Sequence, residues 1–288
     1  MRLMIIGADG QLGADLVLQF RDHADLIPLT YKDGDIVDFS VVQSLVTMHR
    51  PDVIINTAAY HNVPECELHP VRAFEVNALG ARNLALATES KGIRLVHIST
   101  DYVFDGSKGS PYTESDCPNP LNVYANTKLS GEYFIRSICK NYMILRVSGI
   151  YGKTRCIGKG SNFINTMLRF FRDGQSIRVV TDEVLTPTST VEIGRQLEAM
   201  LQENCQGVFH VTAEGACSWH EFAQSIFKIL EWPVQIQEAR VADFPPTVKR
   251  PHYSVLENTR LKEAGINRMK DWKTALTEFL KTTEVKNL

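Results

Sequence analysis

A tyrosine and a lysine four residues apart, in the segment Tyr124-Ala-Asn-Thr-Lys128, could carry out a proton transfer. Residues at this spacing share one face of a helix, so an ammonium group can lie beside a phenol. Free tyrosine, with a pKa of about 10, exchanges protons slowly at neutral pH, and a nearby positive charge lowers that pKa. The pair therefore suits a step in which a phenol gives a proton to an alkoxide. Alone, the same spacing is also compatible with an exposed tyrosine and a solvated lysine.

Three glycines near the N terminus, in Gly7-Ala-Asp-Gly10-Gln-Leu-Gly13, follow a short apolar run. A glycine turn lets the backbone approach a pyrophosphate, and the helix N terminus beyond it offers free N–H groups and partial positive charge. The position between a first strand and a first helix favours a dinucleotide cradle over a tight turn that only needs positive φ. We expect the coenzyme to contact Gly7, Asp9, Gly10, Gln11 and Leu12.

The segment near the end of the second strand bears on the choice of coenzyme. Lys32 could meet a 2′-phosphate, and Asp33 could accept a hydrogen bond from a ribose hydroxyl. The sequence therefore favours NADPH without excluding NADH. Asp35 and Ile36 are expected beside the adenine, and the residues after the strand that ends at Thr57 are expected along the coenzyme: Ala58, Ala59 and Tyr60.

A hydroxyl group completes the set of reactive side chains. Thr100 follows Ser99 at the predicted carboxyl end of a strand, where it could hydrogen-bond a substrate carbonyl. Reduction of a ketone by hydride leaves an alkoxide that needs a proton. A dinucleotide cradle, a hydroxyl that holds a carbonyl and an acidified phenol together indicate a nicotinamide-dependent carbonyl reductase.

Alternating strands and helices must position these residues. Short apolar runs predict strands at 3–6, 53–57, 95–99 and 143–147, with helices at 11–22, 39–49, 70–91 and 124–140 between them. Such alternation predicts a parallel sheet covered on both faces, here a doubly wound Rossmann fold of class α/β. After about residue 147 the pattern changes, with helices at 161–172, 191–202 and 219–230 and strands at 177–180 and 208–212. We predict a coenzyme-binding domain of residues 1–148 plus about 188–212. A smaller, interleaved C-terminal α/β substrate-binding region would comprise about 149–187 and 213–288.

The composition restricts the function classes. The chain has 288 residues, 44% of them hydrophobic, and a net charge of −2, which favours neither nucleic acid nor an anionic membrane as partner. No apolar stretch reaches the roughly 18 residues of a membrane span. The six cysteines form no CxxC pair and predict free thiols, so we expect a cytoplasmic protein. His61, Cys66 and His69 fit no common zinc spacing, and no metal is predicted.

Five segments resemble the extended short-chain dehydrogenase/reductase family and, within it, the dTDP-4-dehydrorhamnose reductases. They are Gly7–Gly13, Asn56–Tyr60, Ser99–Gly106, Pro120–Glu132 and Arg250–Ser254. The resemblance implies a catalytic triad of Thr100, Tyr124 and Lys128, the last two also contacting the coenzyme. It implies reduction of the 4-keto group of a dTDP-6-deoxyhexose by NADPH or NADH, in a possible homodimer. The implied substrate contacts are Thr100, Asp101, Tyr102, Val103, Phe104, Asn162 and Arg250, the last at the diphosphate.

One segment departs from the family pattern. Gly149 stands where relatives often carry a tryptophan beside the sugar, and the missing indole is expected to leave space. The basic loop that follows, residues 153–159, could cover the substrate through Arg155 and Lys159.

Other functions stay open. A dehydratase of this superfamily would use an Asp-Glu pair after the threonine, whereas this chain has Asp101-Tyr102. A nucleotide-sugar epimerase is possible. A non-catalytic regulatory subunit, of the kind that binds methionine adenosyltransferase, would share the fold and could retain Tyr124 and Lys128.

Overall fold

The apolar runs of the first half form a six-stranded parallel sheet. A computed structural model of the chain describes residues 1–154, 160–244 and 248–282. Its strands are β1 (Arg2–Ile6), β2 (Asp25–Leu29), β3 (Val53–Asn56), β4 (Arg94–Thr100), β5 (Tyr142–Val147) and β10 (Gly207–His210). They lie in the order β2-β1-β3-β4-β5-β10. The strand order reverses at β1, because β2 and β3 lie on its two sides, and doubly wound folds bind ligands at such a point.

Helices connect the strands and cover the sheet. Their bounds are α1 (Gln11–Phe20), α2 (Phe39–His49), α3 (Val63–Leu68), α4 (Pro70–Phe74), α5 (Gly80–Glu89), α6 (Val123–Ile138), α7 (Phe163–Arg172), α8 (Thr190–Gln202), α9 (Trp219–Ile229), α10 (Thr259–Glu263) and α11 (Trp272–Thr282). One face of the sheet packs with α1 and α8 through Leu16, Ile193 and Leu197. The other face packs with α2 and α5 through Val46 and Leu84. The predicted α/β class and parallel sheet are confirmed.

A separate hydrophobic cluster lies in the C-terminal part of the chain. It joins α7, α9 and α11 with the strand β7 (Ile177–Val180), and Phe222 is fully buried at its centre. The short strands here are β6 (Ile150–Tyr151), β8 (Val184–Leu185), β9 (Thr188–Ser189), β11 (Cys217–Ser218) and β12 (Ile236–Ala239). However, Leu261 and Met269 pack with the main sheet. The domain boundaries drawn from the sequence stay a prediction.

The predicted single helix over residues 70–91 is wrong in one respect. The structure divides this stretch into α4, a π-helical turn over Glu75–Leu79, and α5. The turn contains Asn77, whose side chain bonds outside the helix to Tyr60 and Thr127. Tertiary hydrogen bonds of this kind leave no trace in helical periodicity, and π turns often accompany functional sites.

Local signals predicted other element ends well. Helix α9 begins after Ser218 with a capping box, in which Ser218 and Glu221 each accept from the other's backbone N–H. The described cysteines, which exclude Cys156, are free thiols. Within the described ranges, no helix combines the length and apolarity that crossing a bilayer requires.

A buried histidine in β10 should make the fold sensitive to acid. Nδ1 of His210 donates to the carbonyl oxygens of Tyr112 and Glu257, both at 3.1 Å, and burial with the charge of Arg146 lowers its pKa to about 3. An unfolded histidine titrates near pH 6.5. Between about pH 6.5 and pH 3, the unfolded chain therefore binds a proton at this histidine that the native chain does not. Stability should therefore fall as the pH drops below about 6.5, by roughly 1.4 kcal/mol per pH unit.

Urea unfolding between about pH 7 and pH 5 measures this effect, with His210→Gln as the comparison. The wild type should lose roughly 2 kcal/mol more than the variant over that range. Equal losses in the two proteins would show that His210 does not cause the acid sensitivity.

Candidate active site

The three N-terminal glycines form a tight turn at the point where the strand order reverses. Gly7 has a φ of +79°, and its N–H donates to the carbonyl oxygen of Leu29 on β2. Gly10 is the N-cap of α1 and has no side chain to cap the first N–H groups. These groups therefore stay available to a pyrophosphate. Leu12 is buried in the core, while Asp9 is exposed at the turn.

Gly13 lets α1 pack directly on this turn. A Cβ atom at Gly13 would lie 2.1 Å from the carbonyl oxygen of Gly7, whereas a Cβ atom at Gly10 would lie 3.2 Å from the same oxygen. A methyl group at Gly13 would therefore force α1 and the turn to move apart. A methyl group at Gly10 would require a shift of only a few tenths of an ångström.

Gly13→Ala should therefore displace the turn and weaken coenzyme binding by at least about tenfold, a free-energy change of ~1.4 kcal/mol. Gly10→Ala, which adds the same methyl group, should have the smaller effect. Titration of NADPH fluorescence measures both affinities. If the two variants bound NADPH equally well, close packing at Gly13 would not be what shapes the cradle.

The residues predicted to meet the ribose and the adenine follow β2. Lys32 is exposed, and the carboxylate of Asp33 accepts from the backbone N–H and the hydroxyl of Thr30, both at 2.8 Å. Those bonds lower the pKa of Asp33 and engage one of its oxygens in the loop. Asp35 forms an ion pair with Arg72 at 3.2 Å. The side chain of Ile36 is buried in the core, so it is not exposed at this edge of the sheet.

The segment after β3 is tied to the helix that carries Tyr124. The side chain of Asn77 accepts from the N–H of Tyr60 at 2.8 Å and donates to its carbonyl oxygen at 2.9 Å. It also donates to the hydroxyl of Thr127 at 2.9 Å. Ala58 donates its N–H to the side chain of Asn56. The half-buried backbone of Ala58, Ala59 and Tyr60 is therefore fixed relative to α6.

Tyr124 lies in the first turn of α6. Asn122 caps this helix by accepting from the N–H of Ala125 at 2.9 Å, and it donates to the carbonyl oxygen of Lys249 at 2.9 Å. Tyr124 is half-buried, and the ring of Tyr102 stands edge-on to its ring with 6.3 Å between the centroids. The dipole of α6 favours the phenolate form of a tyrosine in this position.

Lys128 lies one helical turn further and is only 2% exposed. Its Nζ atom is 3.1 Å from Nε2 of His97 on β4. Burial lowers the pKa of Lys128 to about 8, while the negative charge of Glu132 opposes this shift. A buried ammonium group beside the first turn of α6 provides the positive charge that acidifies a phenol.

Thr100 ends β4, as predicted, and is nearly buried. Its hydroxyl donates to Asp101 at 3.0 Å and accepts from the N–H of Tyr102 at 3.2 Å. Asp101 accepts from Ser148 at 2.8 Å and from Ser254 at 2.6 Å. Burial raises the pKa of Asp101, and the three hydroxyl donors oppose this. The carboxylate thus joins the end of β4 to two segments that are distant in sequence.

The other predicted substrate residues after Thr100 differ in placement. Val103 and Phe104 are fully buried, and the ring of Phe104 stacks on Tyr112 with 4.3 Å between centroids. A ligand could therefore reach only their backbone. Tyr102 alone points its ring toward Tyr124, and burial raises its pKa.

Arg250 follows Lys249, the residue bonded to the cap of α6. Its Nε atom is buried and has no hydrogen-bond partner among the described residues. Its charge acts on both Tyr102 and Glu183, lowering the pKa of each against the larger effect of burial. An unpartnered buried guanidinium donor is a group that a bound anion would satisfy.

Asn162 has a structural role in addition to its predicted one. It caps α7 by accepting from Asn165 and donates to Gln11 at 3.1 Å and to the carbonyl oxygen of Gly152 at 3.2 Å. Gln11 in turn donates to the carbonyl oxygen of Ile150. The two predicted contacts, Gln11 and Asn162, thus link the glycine turn to the start of α7.

The space expected at Gly149 does not exist. A Cβ atom there would lie 2.6 Å from Cδ1 of Leu185 and 3.3 Å from Cα of Pro187, and the φ of Gly149 is +50°. The expectation is wrong because Leu185, from β8, fills the place beside the backbone. The basic residues Arg155 and Lys159 lie outside the described residues.

The sequence analysis did not assign a role to several side chains that the fold brings to this site. Asn77 lies in the π-helical turn, Asn122 caps α6 and Glu132 lies within it, Glu183 comes just before β8, and His97 lies on β4. Only the Asn122 cap has a local signal, since asparagine before an amphipathic run predicts a helix start. The others act through contacts that are remote in sequence.

Comparison with known proteins identifies the family. The profile of the RmlD substrate binding domain matches residues 1–285. The chain belongs to the RmlD family. It is 36% identical over 280 residues to the spore coat polysaccharide biosynthesis protein SpsK of Bacillus subtilis, covering 97% of this chain and 96% of that protein. It is 35% identical to a dTDP-4-dehydrorhamnose reductase of Aggregatibacter actinomycetemcomitans, covering 96% and 97% of the two chains.

A solved structure agrees with this membership. The dTDP-4-dehydrorhamnose reductase of Bacillus anthracis, in complex with NADP, superposes with a TM-score of 0.94 at 36% identity. The match covers 98% of this RmlD-family chain and 99% of the solved chain. The Rossmann architecture and the family resemblance drawn from the sequence are both confirmed.

Proposed function

We propose that this RmlD-family chain is a reductase that uses NADPH to reduce the 4-keto group of a dTDP-4-dehydro-6-deoxyhexose. The finer assignment is conversion of dTDP-4-dehydrorhamnose to dTDP-L-rhamnose. The observation that carries the proposal is the position of the buried Lys128, one helical turn from Tyr124 in the first half of α6. Through Asn77, this helix is fixed to the segment Ala58 to Tyr60, which is predicted to contact the coenzyme. The reductase names of the A. actinomycetemcomitans and B. anthracis relatives support it.

The glycine turn, the N terminus of α1 and the backbone of Ala58 to Tyr60 would hold the coenzyme. Bound NADPH supplies the hydride for the sugar carbonyl. Exposed Lys32 could meet its 2′-phosphate, and the NADP complex of the B. anthracis relative supports this preference over NADH.

Side chains of the protein would then orient the carbonyl oxygen of the sugar and protonate it. Tyr124 gives its phenolic proton to that oxygen as the C–H bond forms, and Lys128 stabilises the resulting phenolate. Thr100 orients the carbonyl, which requires its hydroxyl hydrogen to turn away from Asp101. Arg250 binds the diphosphate through Nε, the donor that has no partner in the described part of the chain.

The cell compartment and the assembly belong to the same proposal. We place the enzyme in the cytoplasm, where the proposed coenzyme and nucleotide-sugar substrate would meet it. A homodimer, which the family resemblance implies, stays a prediction. Exposed apolar side chains near α3 and α4, such as Leu68 and Val71, offer a surface for one.

An assay of coenzyme absorbance tests the function. Purified protein is incubated with dTDP- and UDP-linked 4-keto-6-deoxy sugars, each with NADPH and with NADH. We expect NADPH to be consumed with the dTDP-linked sugar. Interconversion of C4 epimers without net coenzyme use would instead indicate an epimerase. Inactivity with every sugar, together with a stoichiometric partner enzyme, would indicate a regulatory subunit.

A further inference from the structure

Three buried polar side chains contact one another in a row next to α6, from Asn56 through His97 to Lys128. Asn56 and His97 are each 1% exposed and lie on the adjacent strands β3 and β4. Nδ2 of Asn56 is 3.1 Å from Nδ1 of His97, and Nε2 of His97 is 3.1 Å from Nζ of Lys128. The imidazole thus stands between an amide and the lysine, and all three side chains are buried.

The hydrogen bonds of Asn56 fix the position of the imidazole proton. Its side-chain oxygen accepts from the backbone N–H of Ala58 at 3.1 Å, so its NH₂ group faces His97 and acts as the donor. Nδ1 of His97 must then accept, and a neutral imidazole carries its single proton on the other nitrogen. Burial keeps the imidazole neutral by lowering its pKa far below the usual value, and the charge of Lys128 adds to this.

This tautomer presents an N–H group, not a lone pair, to Lys128. A neutral amine can accept that hydrogen, whereas an ammonium group, which has only donors, cannot. The contact therefore favours the neutral form of Lys128. Glu132, on the same helix, favours the ammonium form, but its two oxygens are engaged by Arg146 of β5 at 3.0 and 2.7 Å. Tyr124, one turn earlier, is the other titratable group on this face of the helix.

We propose that His97 is a positioning residue, which holds Nζ of Lys128 in place and biases the lysine toward its neutral form through the proton on Nε2. The consequence for catalysis rests on the proposed function: Lys128 changes charge close to the working pH, so it can take up and release a proton when Tyr124 is reprotonated after each turnover. Burial already lowers the pKa of Lys128 to about 8, and the contact with His97 would act in the same direction. A lysine exposed to water would stay charged throughout the cycle.

Two NMR measurements test the proposal without any turnover. The ¹⁵N shifts of His97 in the unmodified protein should show a protonated Nε2 and an unprotonated Nδ1. The ¹³Cε signal of Lys128, assigned by its loss in Lys128→Met, should titrate near pH 8. A proton on Nδ1 would overturn the proposal outright, whatever the substrate is.

A substitution then tests the coupling. In His97→Gln, a side-chain carbonyl can face Lys128 in place of the N–H group, so the lysine should titrate about one pH unit higher, the worth of one ordinary hydrogen bond. His220→Gln, at a buried histidine in α9, should leave that titration unchanged. An unshifted Lys128 in folded His97→Gln would contradict the proposal.

Kinetics separate this inference from the proposed function. In the pH profile of kcat, the pKa of the alkaline limb should equal the pKa of Lys128. In His97→Gln both pKa values should rise together, with KM for NADPH little changed. If the NMR shifts behave as expected but no keto sugar is reduced, the proposed function fails and the role of His97 stands. If the pKa of the alkaline limb stays unchanged while the pKa of Lys128 rises, Lys128 does not exchange a proton with Tyr124 during turnover, and that part of the proposal is wrong.

Discussion

Tyr124→Phe should lower kcat by about 100- to 10,000-fold, the usual contribution of general acid catalysis. The variant keeps the aromatic ring but loses the hydroxyl that delivers a proton to the sugar oxygen. Water cannot easily replace it, because the ring is half-buried against Tyr102 and the neighbouring lysine is buried. The variant loses at most one of the implied coenzyme contacts, since the glycine turn between β1 and α1 and the backbone of Ala58 to Tyr60 are unchanged. The Kd for NADPH should therefore change little.

Tyr133→Phe is the matched control on the same helix. Tyr133 is 50% exposed, and loss of its hydroxyl should leave kcat within about twofold of the wild type. Stopped-flow measurement of coenzyme oxidation gives kcat, and fluorescence titration gives the Kd. Near-normal turnover by Tyr124→Phe would remove this phenol from the proposed mechanism.

Glu132→Gln should lower the free energy of unfolding by about 3–5 kcal/mol. Glu132 is fully buried and accepts from Nε and Nη2 of Arg146, and from the hydroxyl of Ser99 at 2.5 Å. The neutral amide would leave the guanidinium group of Arg146 buried without a counter-charge. Such a residual charge costs far more than the loss of an exposed ion pair.

Glu278→Gln provides the comparison, because Glu278 pairs with Lys270 near the surface, with side chains 48% and 35% exposed. Its loss should cost no more than about 1 kcal/mol. Urea denaturation of both variants gives the difference. If Glu132→Gln were as stable as Glu278→Gln, the pair with Arg146 would contribute little to the fold. Glu132→Gln should also lower the pKa of Lys128 further, because the glutamate charge raises it.

Much of the fold could be predicted because its signals are local. The helix 39–49 and the strand 177–180 have the predicted bounds. Apolar runs marked β1, β3, β4, β5 and β10 to within about two residues, because parallel strands are buried on both faces and exclude polar side chains. No bounds were predicted for β2, which lies at the edge of the sheet. The helix over 70–91 was the main error, since its π turn depends on the bonds that Asn77 makes to distant segments.

The sequence by itself determined the glycine turn, the hydroxyl at the end of β4 and the tyrosine–lysine pair. Each depends on the spacing of neighbouring residues, which backbone geometry converts directly into a shared turn or helix face. The tertiary structure alone decided that Lys128 contacts His97, which in turn contacts Asn56, and that Leu185 fills the place beside Gly149. It also decided that Arg250 keeps a buried donor with no partner among the described residues. These contacts join elements remote in sequence, and their effects come from burial and tautomer, which the order of residues does not record.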